Sequence, residues 1–166
     1  MSPSDVAGDG RPLRPGQRIP GVGGRTHHGE EFALYDLAGA PSLVMFYPYA
    51  FSRVCGTELS AVYAAAGEFE RIGARVVAIS CDSLHALRAY AQEISGGEGL
   101  PFDLVSDFWP HGEIARACGA FDASRGAPTR TSYVLDPQLV IRHVHHVPSD
   151  RSRDLQEALA ELAGLA

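Results

Sequence analysis

Apolar residues in the first half of this chain form short continuous runs that alternate with segments of helical spacing. The runs at 42–47 and 75–79 are typical of strands buried on both faces. Between residues 53 and 72, and again from residue 84 to 91, apolar positions recur every three or four residues, which predicts amphipathic helices. The pattern therefore predicts strand, helix, strand and helix in succession.

The second half continues the alternation. Its predicted elements are strands at 102–105, 132–135 and 139–146 and helices at 111–120 and 155–162, with a weaker hairpin strand at 31–34 near the start. Strands that alternate with helices predict an α/β fold with helices on both faces of a central sheet. The late hairpin adds an antiparallel pair, so the sheet is mixed, and the order of elements is that of a thioredoxin-like core with insertions.

The length of 166 residues predicts a single domain. Residues 1–18 are rich in glycine, proline, arginine and aspartate, with few apolar positions, so we expect a mobile N-terminal tail. The domain then occupies residues 19–166. The start of the chain lacks the apolar stretch of a signal peptide, and no apolar run is long enough to span a membrane.

Composition removes several kinds of chemistry. The net charge is −6, which argues against nucleic acid or an anionic membrane as a partner. All fourteen basic residues are arginine, and lysine and asparagine are absent. Schiff-base catalysis, a P-loop lysine and a Cys-His-Asn triad are therefore excluded. The glycines at 21–24 are not followed by a convincing helix, and we predict no bound cofactor.

Three cysteines, an odd number, leave at least one free thiol. Without a secretory leader they indicate a reducing, cytoplasmic location. The most informative one is Cys55, because the buried strand at 42–47 runs into Pro48 and a short loop before the cysteine begins the next helix. A helix start offers free N–H groups and partial positive charge, which favour a thiolate. Ser52, three residues upstream, can place its hydroxyl near the sulfur.

A cysteine in the first turn of a helix is also common as a small buried residue, and spacing by itself leaves both interpretations open. Three separated motifs favour the functional one. Pro48-x-x-x-Ser52-x-x-Cys55, the segment Ser-Asp-Phe-Trp-Pro-His-Gly at 106–112, and Arg130 before a strand occur in this order. Together they resemble the peroxiredoxins, in particular the one-cysteine alkyl hydroperoxide reductase E class, over roughly residues 19–162.

The resemblance implies a thiol-dependent peroxidase on a thioredoxin-like fold. Cys55 would be the peroxidatic nucleophile that becomes a sulfenic acid, and Arg130 would stabilise its thiolate and the peroxide oxygens. Ser52 would bond the peroxide together with the Cys55 N–H. Pro48 would shield the sulfur from water, and Glu58 would orient Arg130.

Aromatic and histidine residues near these motifs are further candidates. Phe51, Trp109 and His111 are predicted to lie at the rim of the site, where they would contact substrate or a second subunit of the homodimer that the family implies. Taken by itself, Trp109 is more typical of a core or interface position, and for His111 a capping or packing role is an equal alternative.

The resemblance also bears on how the oxidised cysteine is reduced. Ser60 stands where some branches of the family carry a resolving cysteine, and no cysteine follows Cys118. We therefore expect recycling by an external thiol, either mycothiol with mycoredoxin or a thioredoxin-like protein. Cys81 as an internal resolving residue is a minority alternative. Ser52 and Gly56 replace the commoner threonine and proline of the family, and we expect function to survive both.

Histidines suggest a metal site only weakly. His143 and His145 alternate onto one face of the last predicted strand, as two metal ligands would, and His146 lies next to them. The sequence shows no third ligand, so we predict no metal.

Two other functions of Cys55 stay open. A peroxide sensor or redox relay would pass the oxidation to a partner protein, and a repurposed member of the fold would use the thiol for group transfer. The complete set of Pro48, Ser52, Cys55 and Arg130 favours the peroxidase.

Overall fold

A seven-stranded mixed sheet organises the chain. The computed structural model describes residues 11–166. The strands, in chain order, are β1 (Gly23–Thr26), β2 (Glu31–Ala33), β3 (Ser42–Phe46), β4 (Arg75–Ser80), β5 (Asp103–Ser106), β6 (Phe121–Asp122), β7 (Ala127–Pro128), β8 (Arg130–Leu135) and β9 (Ile141–Val147). The order within the large sheet is β2-β1-β5-β4-β3-β8-β9, and β6 pairs with β7 in a separate ribbon.

The helices lie between these strands or follow them. They are α1 (Arg53–Ala64), α2 (Ala66–Arg71), α3 (Leu84–Ser95), α4 (Glu113–Ala117) and α5 (Leu155–Ala163), with a 3₁₀ helix at Leu34–Leu37. Among residues 11–166, no helix is long and apolar enough to cross a membrane.

The sheet is mixed, as predicted. Strand β4 runs parallel to both β3 and β5, whereas β8 is antiparallel to β3 and β9 is antiparallel to β8. The β1–β2 hairpin joins the other edge through an antiparallel pairing of β1 with β5. Parallel strands need crossover connections, which the helices supply.

Alternating side chains of the central strands bury both faces of the sheet. Leu43 and Met45 of β3 pack into a layer with side chains of α1, α2, α3 and α5. Val44 and Phe46 point to the opposite layer, which holds side chains of α4 and the 3₁₀ helix. This arrangement confirms the prediction of a central sheet with helices on both faces.

The single helix predicted from residue 53 to 72 is divided into α1 and α2. The break lies at Ala65, whose φ of −91° and ψ of 7° depart from helical geometry. Its N–H donates to the carbonyl oxygens of both Ala61 and Val62, and Gly67 in the following turn lowers the helical propensity. Phe69 of α2 nevertheless stays in the same core layer as Val62 of α1.

The N-terminal boundary differs from the prediction. Residues 1–10 lie outside the described part of the chain, but residues 13–18, predicted to belong to the mobile tail, pair with the sheet. The Leu13 N–H donates to the Tyr133 hydroxyl at 2.9 Å, and the Gly16 N–H donates to the carbonyl oxygen of Ile141 at 2.7 Å. The prediction judged only side chains, whereas backbone groups bind a sheet edge whatever side chains they carry.

Candidate active site

Cys55 lies where the sequence predicts it, in the first turn of α1. Its side chain is fully buried. Ser52 is the residue that caps the helix, because its hydroxyl oxygen accepts a hydrogen bond from the Cys55 N–H at 3.3 Å. Cys55 therefore lies at the positive end of the dipole of a twelve-residue helix. The sequence analysis expected the Ser52 hydroxyl and the Cys55 N–H to bind a peroxide together. In the structure, the Cys55 N–H donates to the Ser52 hydroxyl oxygen.

Pro48 and Phe51 belong to the loop that leads into the helix of Cys55. Pro48 is buried, whereas Phe51 is 54% exposed. Phe51 has a φ of +66°, a left-handed conformation that is rare outside glycine and that costs free energy. Its ring packs against Tyr90 with the ring centroids 4.9 Å apart. The loop thus combines a rigid proline with a strained residue directly before the helix cap.

A buried ion pair connects α1 to strand β8. The Arg130 Nη1 donates to the Glu58 Oε1 at 2.6 Å, and both side chains are only 3% exposed. The Arg130 Nε donates to the carbonyl oxygen of Ser149 at 2.7 Å. Glu58 lies three residues after Cys55 on the same helix. Within residues 11–166, no hydrogen bond joins Arg130 to the sulfur, and the connection between the two residues runs through Glu58 and the helix α1.

A second arginine, Arg153, completes this network, and the sequence analysis missed it. Its Nε and backbone N–H both donate to the Glu58 Oε2 at 2.8 Å, and its Nη2 donates to the Oε1 at 2.9 Å. Its Nη1 donates to the carbonyl oxygen of Phe46 at 2.7 Å and to the Ser132 hydroxyl at 3.0 Å. Nothing near it in the sequence sets it apart from thirteen other arginines.

The network fixes the charge of Glu58. Burial by itself raises the pKa of this carboxyl, but hydrogen bonds and charge from Arg153, with the charge of Arg130, outweigh burial and hold the pKa below its ordinary value of 4.5. Glu58 is thus a carboxylate at neutral pH that clamps two guanidinium groups in place.

Glu58→Gln is expected to change the pH dependence of stability. A carboxyl with a lowered pKa in the folded chain stabilises the fold above its unfolded pKa, and this contribution is lost as the pH falls. The variant should lose about 3 kcal/mol at pH 7, because a buried pair is broken. Denaturant titrations at pH 7 and pH 4 should show the gap to the parent protein shrinking at pH 4.

The matched control is Glu98→Gln, because Glu98 is exposed. This variant should follow the parent protein at both pH values. A gap between Glu58→Gln and the parent that is equal at pH 7 and pH 4 would contradict the assigned ionisation of Glu58.

Two buried tyrosines surround the cysteine in its core layer. Tyr47 and Tyr90 pack in the same apolar cluster as Cys55. Within residues 11–166, neither hydroxyl has a hydrogen-bond partner. Burial raises the pKa of both tyrosines, so both hydroxyls stay protonated and able to donate. The interior beside Cys55 therefore holds two neutral donors.

The other two cysteines belong to the opposite layer of the core. Cys81 and Cys118 pack in the cluster that contains α4, whereas Cys55 packs in the cluster of α1 and α3. Burial, followed by the charges of Asp107 and Asp82, raises the pKa of Cys81 to about 12, and burial also raises the pKa of Cys118. Because the sheet separates Cys81 from Cys55, this geometry argues against Cys81 as an internal resolving residue.

Asp107, in the motif at 106–112, has a structural role in the fold. Its two carboxylate oxygens accept hydrogen bonds from the N–H groups of Ile114 and Ala115, both at 2.9 Å, at the start of α4. Burial raises the pKa of this carboxyl to about 6. The residue anchors α4 to the end of β5.

The aromatic part of that motif lies on the surface. Trp109 is 84% exposed and Phe108 is 54% exposed, and both line a groove formed with β1, β2 and the start of α3. His111 is exposed and its Nε2 is 2.8 Å from the carbonyl oxygen of Gly126. The groove of Trp109 contains no residue of α1. A contact between Trp109 or His111 and a substrate at Cys55 remains a prediction.

Comparisons with known proteins agree with this geometry. The sequence profile of the AhpC/TSA family matches residues 15–144. A probable peroxiredoxin of Caenorhabditis elegans is 34% identical over 87% of this chain and 66% of its own length. Peroxiredoxin 1 of Brugia malayi is 31% identical over 80% of this chain and 60% of its own. Alkyl hydroperoxide reductase E of Mycobacterium tuberculosis is 30% identical over 90% of this chain and 98% of its own. The chain thus spans about two thirds or less of the first two proteins.

Solved structures confirm the fold. AhpC from Enterococcus faecalis superposes with a TM-score of 0.81 at 24% identity, covering 90% of each chain. Peroxidoxin BcpB from Mycobacterium tuberculosis gives a TM-score of 0.80 at 25% identity, over 93% of this chain and 99% of that one. Together with the mixed sheet, these similarities confirm the predicted thioredoxin-like fold class.

Proposed function

Because this chain belongs to the AhpC/TSA family, the family of the peroxiredoxins, we propose that it is a thiol-dependent peroxidase that acts through Cys55. One observation carries the proposal: within residues 11–166, Cys55 is the only cysteine at a helix start, and it shares that helix with Glu58, which clamps Arg130 and Arg153. The other two cysteines of the chain are buried in the opposite core layer.

The proposed reaction is a nucleophilic displacement on a hydroperoxide. The Cys55 thiolate attacks the terminal peroxide oxygen, so that an S–O bond forms while the O–O bond breaks. The leaving alkoxide or hydroxide takes up a proton and departs as an alcohol or water. The peroxide is reduced by two electrons, and the sulfur is oxidised to a sulfenic acid.

Arg130 has the charge that this displacement needs. Negative charge develops on the leaving oxygen, and a buried guanidinium held in advance stabilises it without reorganisation. Glu58 and the Ser149 carbonyl fix the Nη1 and Nε of Arg130, so the guanidinium plane is set before substrate arrives. Arg153 is a positioning residue that holds Glu58. Ser52 would bond the peroxide, and Pro48 would exclude bulk water.

An external thiol is proposed to close the cycle. One thiol condenses with the sulfenic acid, releasing water and leaving a mixed disulfide at Cys55. A second thiol then releases the Cys55 thiol and carries the disulfide away. The separation of Cys81 and Cys118 from Cys55 by the sheet supports this route. The 30% identity to alkyl hydroperoxide reductase E supports alkyl hydroperoxides as a substrate class. The proposed reductant is mycothiol with mycoredoxin or a thioredoxin-like protein.

A pulse of peroxide tests the assignment. Reduced protein mixed with one equivalent of peroxide and trapped with a sulfenic-acid reagent should carry the label on Cys55 alone when its peptides are mapped by mass spectrometry. Cys81 and Cys118 are expected to remain thiols because burial raises the pKa of both. A Cys55–Cys81 disulfide would replace external recycling with internal resolution, and label on Cys81 or Cys118 alone would reject the site.

Two alternatives keep the same cysteine. A redox relay would form trapped mixed disulfides with one partner protein and would turn over poorly with small thiols, whereas a peroxidase turns over with them. A group-transfer enzyme would not require the buried Arg130, since peroxide reduction is the step that develops charge on the leaving oxygen. The clamped arginine therefore favours the peroxidase.

The proposal extends to the oligomeric state and the location of the protein. We propose a homodimer, which is supported by exposed large apolar side chains such as Trp109 and Phe108. Sedimentation should then give twice the chain mass of 17.7 kDa, and a monomer would reject it. Three free cysteines support the expectation of a reducing, cytoplasmic location.

A further inference from the structure

A cluster of two histidines and two glutamates lies between the edge strand β9 and the helix α5. His145 of β9 has its Nε2 2.7 Å from the Glu161 Oε2 and its Nδ1 4.0 Å from the Glu157 Oε2. One ligand atom from each of these three residues lies within 4.8 Å of the others. His143, on the same face of β9, has its Nδ1 3.6 Å from the Glu161 Oε1. None of these residues takes part in the hydrogen bonds around Cys55.

We propose that His143, His145, Glu157 and Glu161 form a binding site for a divalent transition-metal ion such as Zn²⁺. The inference is independent of the proposed peroxidase activity. Sequence alone offered only the two histidines of the strand, because the third and fourth ligands come from a helix whose place against β9 is a tertiary property. Glu157 and Glu161 are four residues apart and share one face of α5.

The donor set and its spacing fit zinc. Imidazole nitrogen and carboxylate oxygen bind Zn²⁺ at about 2.0–2.2 Å, which places tetrahedral ligand atoms roughly 3.3 Å apart. One ring nitrogen of His145 and one carboxylate oxygen each of Glu157 and Glu161 lie within 4.8 Å of one another, so rotation of the side chains brings them to that spacing around one ion. Calcium and magnesium prefer sites made entirely of oxygen. The two histidines therefore select a borderline-soft ion.

The four side chains differ in exposure, so that two are held in place and two leave the ion a path to the site. The side chains of His145 and Glu161 are 15% and 14% exposed, so the inner pair is held in place. His143 and Glu157 are 44% and 58% exposed, so they can rotate inward and leave a path for the ion. His146 stays outside the cluster because its Nδ1 is hydrogen-bonded to the Thr131 hydroxyl at 2.8 Å.

A bound ion would cross-link the two ends of the segment at residues 148–154. This segment joins β9 to α5 and supplies the Ser149 carbonyl that holds Arg130 and the guanidinium of Arg153 that holds Glu58. His145 and Arg153 line the same cleft between α1 and α5. The ion would therefore stiffen the segment that carries the arginine clamp.

A second group of donors is less suited. His27, His28 and Asp103 also bring ligand atoms within 4.8 Å of one another. The Nδ1 of His27 already accepts a hydrogen bond from the Leu104 N–H at 3.2 Å. This group serves as the matched control, since His28→Ala removes a histidine that the proposed site does not use.

The test is calorimetric titration of ZnCl₂ into chelator-treated protein without a histidine tag, in the Cys55→Ser background so that no thiolate at that position competes. One ion per chain is expected. His145→Ala and Glu161→Gln should each weaken the affinity at least about 100-fold, while His28→Ala leaves it unchanged. Zinc should also raise the thermal unfolding midpoint and slow hydrogen exchange at residues 148–154, and neither effect should occur in His145→Ala.

Three outcomes would overturn the proposal. Absence of binding would show that the cluster is an ion-paired surface and nothing more. Binding that survives both His145→Ala and Glu161→Gln would place the ion elsewhere, and binding lost in His28→Ala would place it at the control group. Glu161→Gln keeps the size of the side chain, so loss of affinity in that variant cannot be attributed to misfolding when its circular dichroism matches the parent protein.

Discussion

Cys55→Ser is expected to reduce the rate of peroxide consumption about a thousandfold or more, to the background of the solution reaction. A serine hydroxyl at this position stays protonated at neutral pH and cannot accept an oxygen atom from the peroxide as sulfur does. Removal of a covalent nucleophile characteristically costs several orders of magnitude. The effect is measured by mixing reduced protein rapidly with peroxide and recording the rate at which peroxide is consumed.

The controls for this variant are Cys81→Ala and Cys118→Ala. Both cysteines lie in the opposite core layer, so each variant should keep the parent rate even if its thermal unfolding midpoint falls. A Cys55→Ser protein that consumes peroxide at the parent rate would contradict the proposed function.

Arg130→Ala is expected to slow the oxidation of Cys55 by roughly 10²–10³-fold. Loss of one preorganised donor to a developing oxyanion has an effect of this size in other enzymes. Glu58 keeps its hydrogen bonds from Arg153 in this variant, so the carboxylate is not left unpaired. The second-order rate constant of Cys55 oxidation should fall while the cysteine can still be fully oxidised by excess peroxide.

Arg142→Ala is the matched control for charge. Arg142 is half exposed and pairs with Asp136 at 2.7 Å through a contact that includes no residue of the cysteine site. Its removal changes the net charge as Arg130→Ala does and should leave the rate unchanged. Equal rates in the two variants would contradict a specific role of Arg130 in the reaction with peroxide.

Much of the fold could be predicted from periodicity. The buried strands β3 and β4 carry continuous apolar runs, and the spacing of apolar residues around Val62 marks α1, because burial on two faces or one face leaves a different period in the sequence. The N-terminal segment was predicted less well. The Leu13 N–H donates to the Tyr133 hydroxyl and the Gly16 N–H donates to Ile141 of β9. Every residue except proline has this N–H, so such contacts leave no trace in the composition.

The residues of the site also fall into some that could be predicted from the sequence and some that could not. Ser52 and Cys55 are close in sequence, so the helix start that unites them could be found from spacing alone. Arg153 lies 95 residues from Glu58 in the chain yet gives it three hydrogen bonds. Local pattern contains no information about which of fourteen arginines returns to the strand β8, since that depends on how α5 packs on the sheet.

The amino-acid sequence by itself determined the order of the main strands and helices, the placement of Cys55 at a helix start and the exclusion of lysine chemistry, because these depend on neighbours in the chain or on composition. Only the tertiary structure decided that Cys81 and Cys118 lie across the sheet from Cys55, that two arginines share Glu58, and that His143 and His145 face Glu157 and Glu161. Each of these arrangements relates residues that are distant in sequence. Their relative positions follow from the pairing of β8 with β9 and from the packing of helices on opposite faces of the sheet.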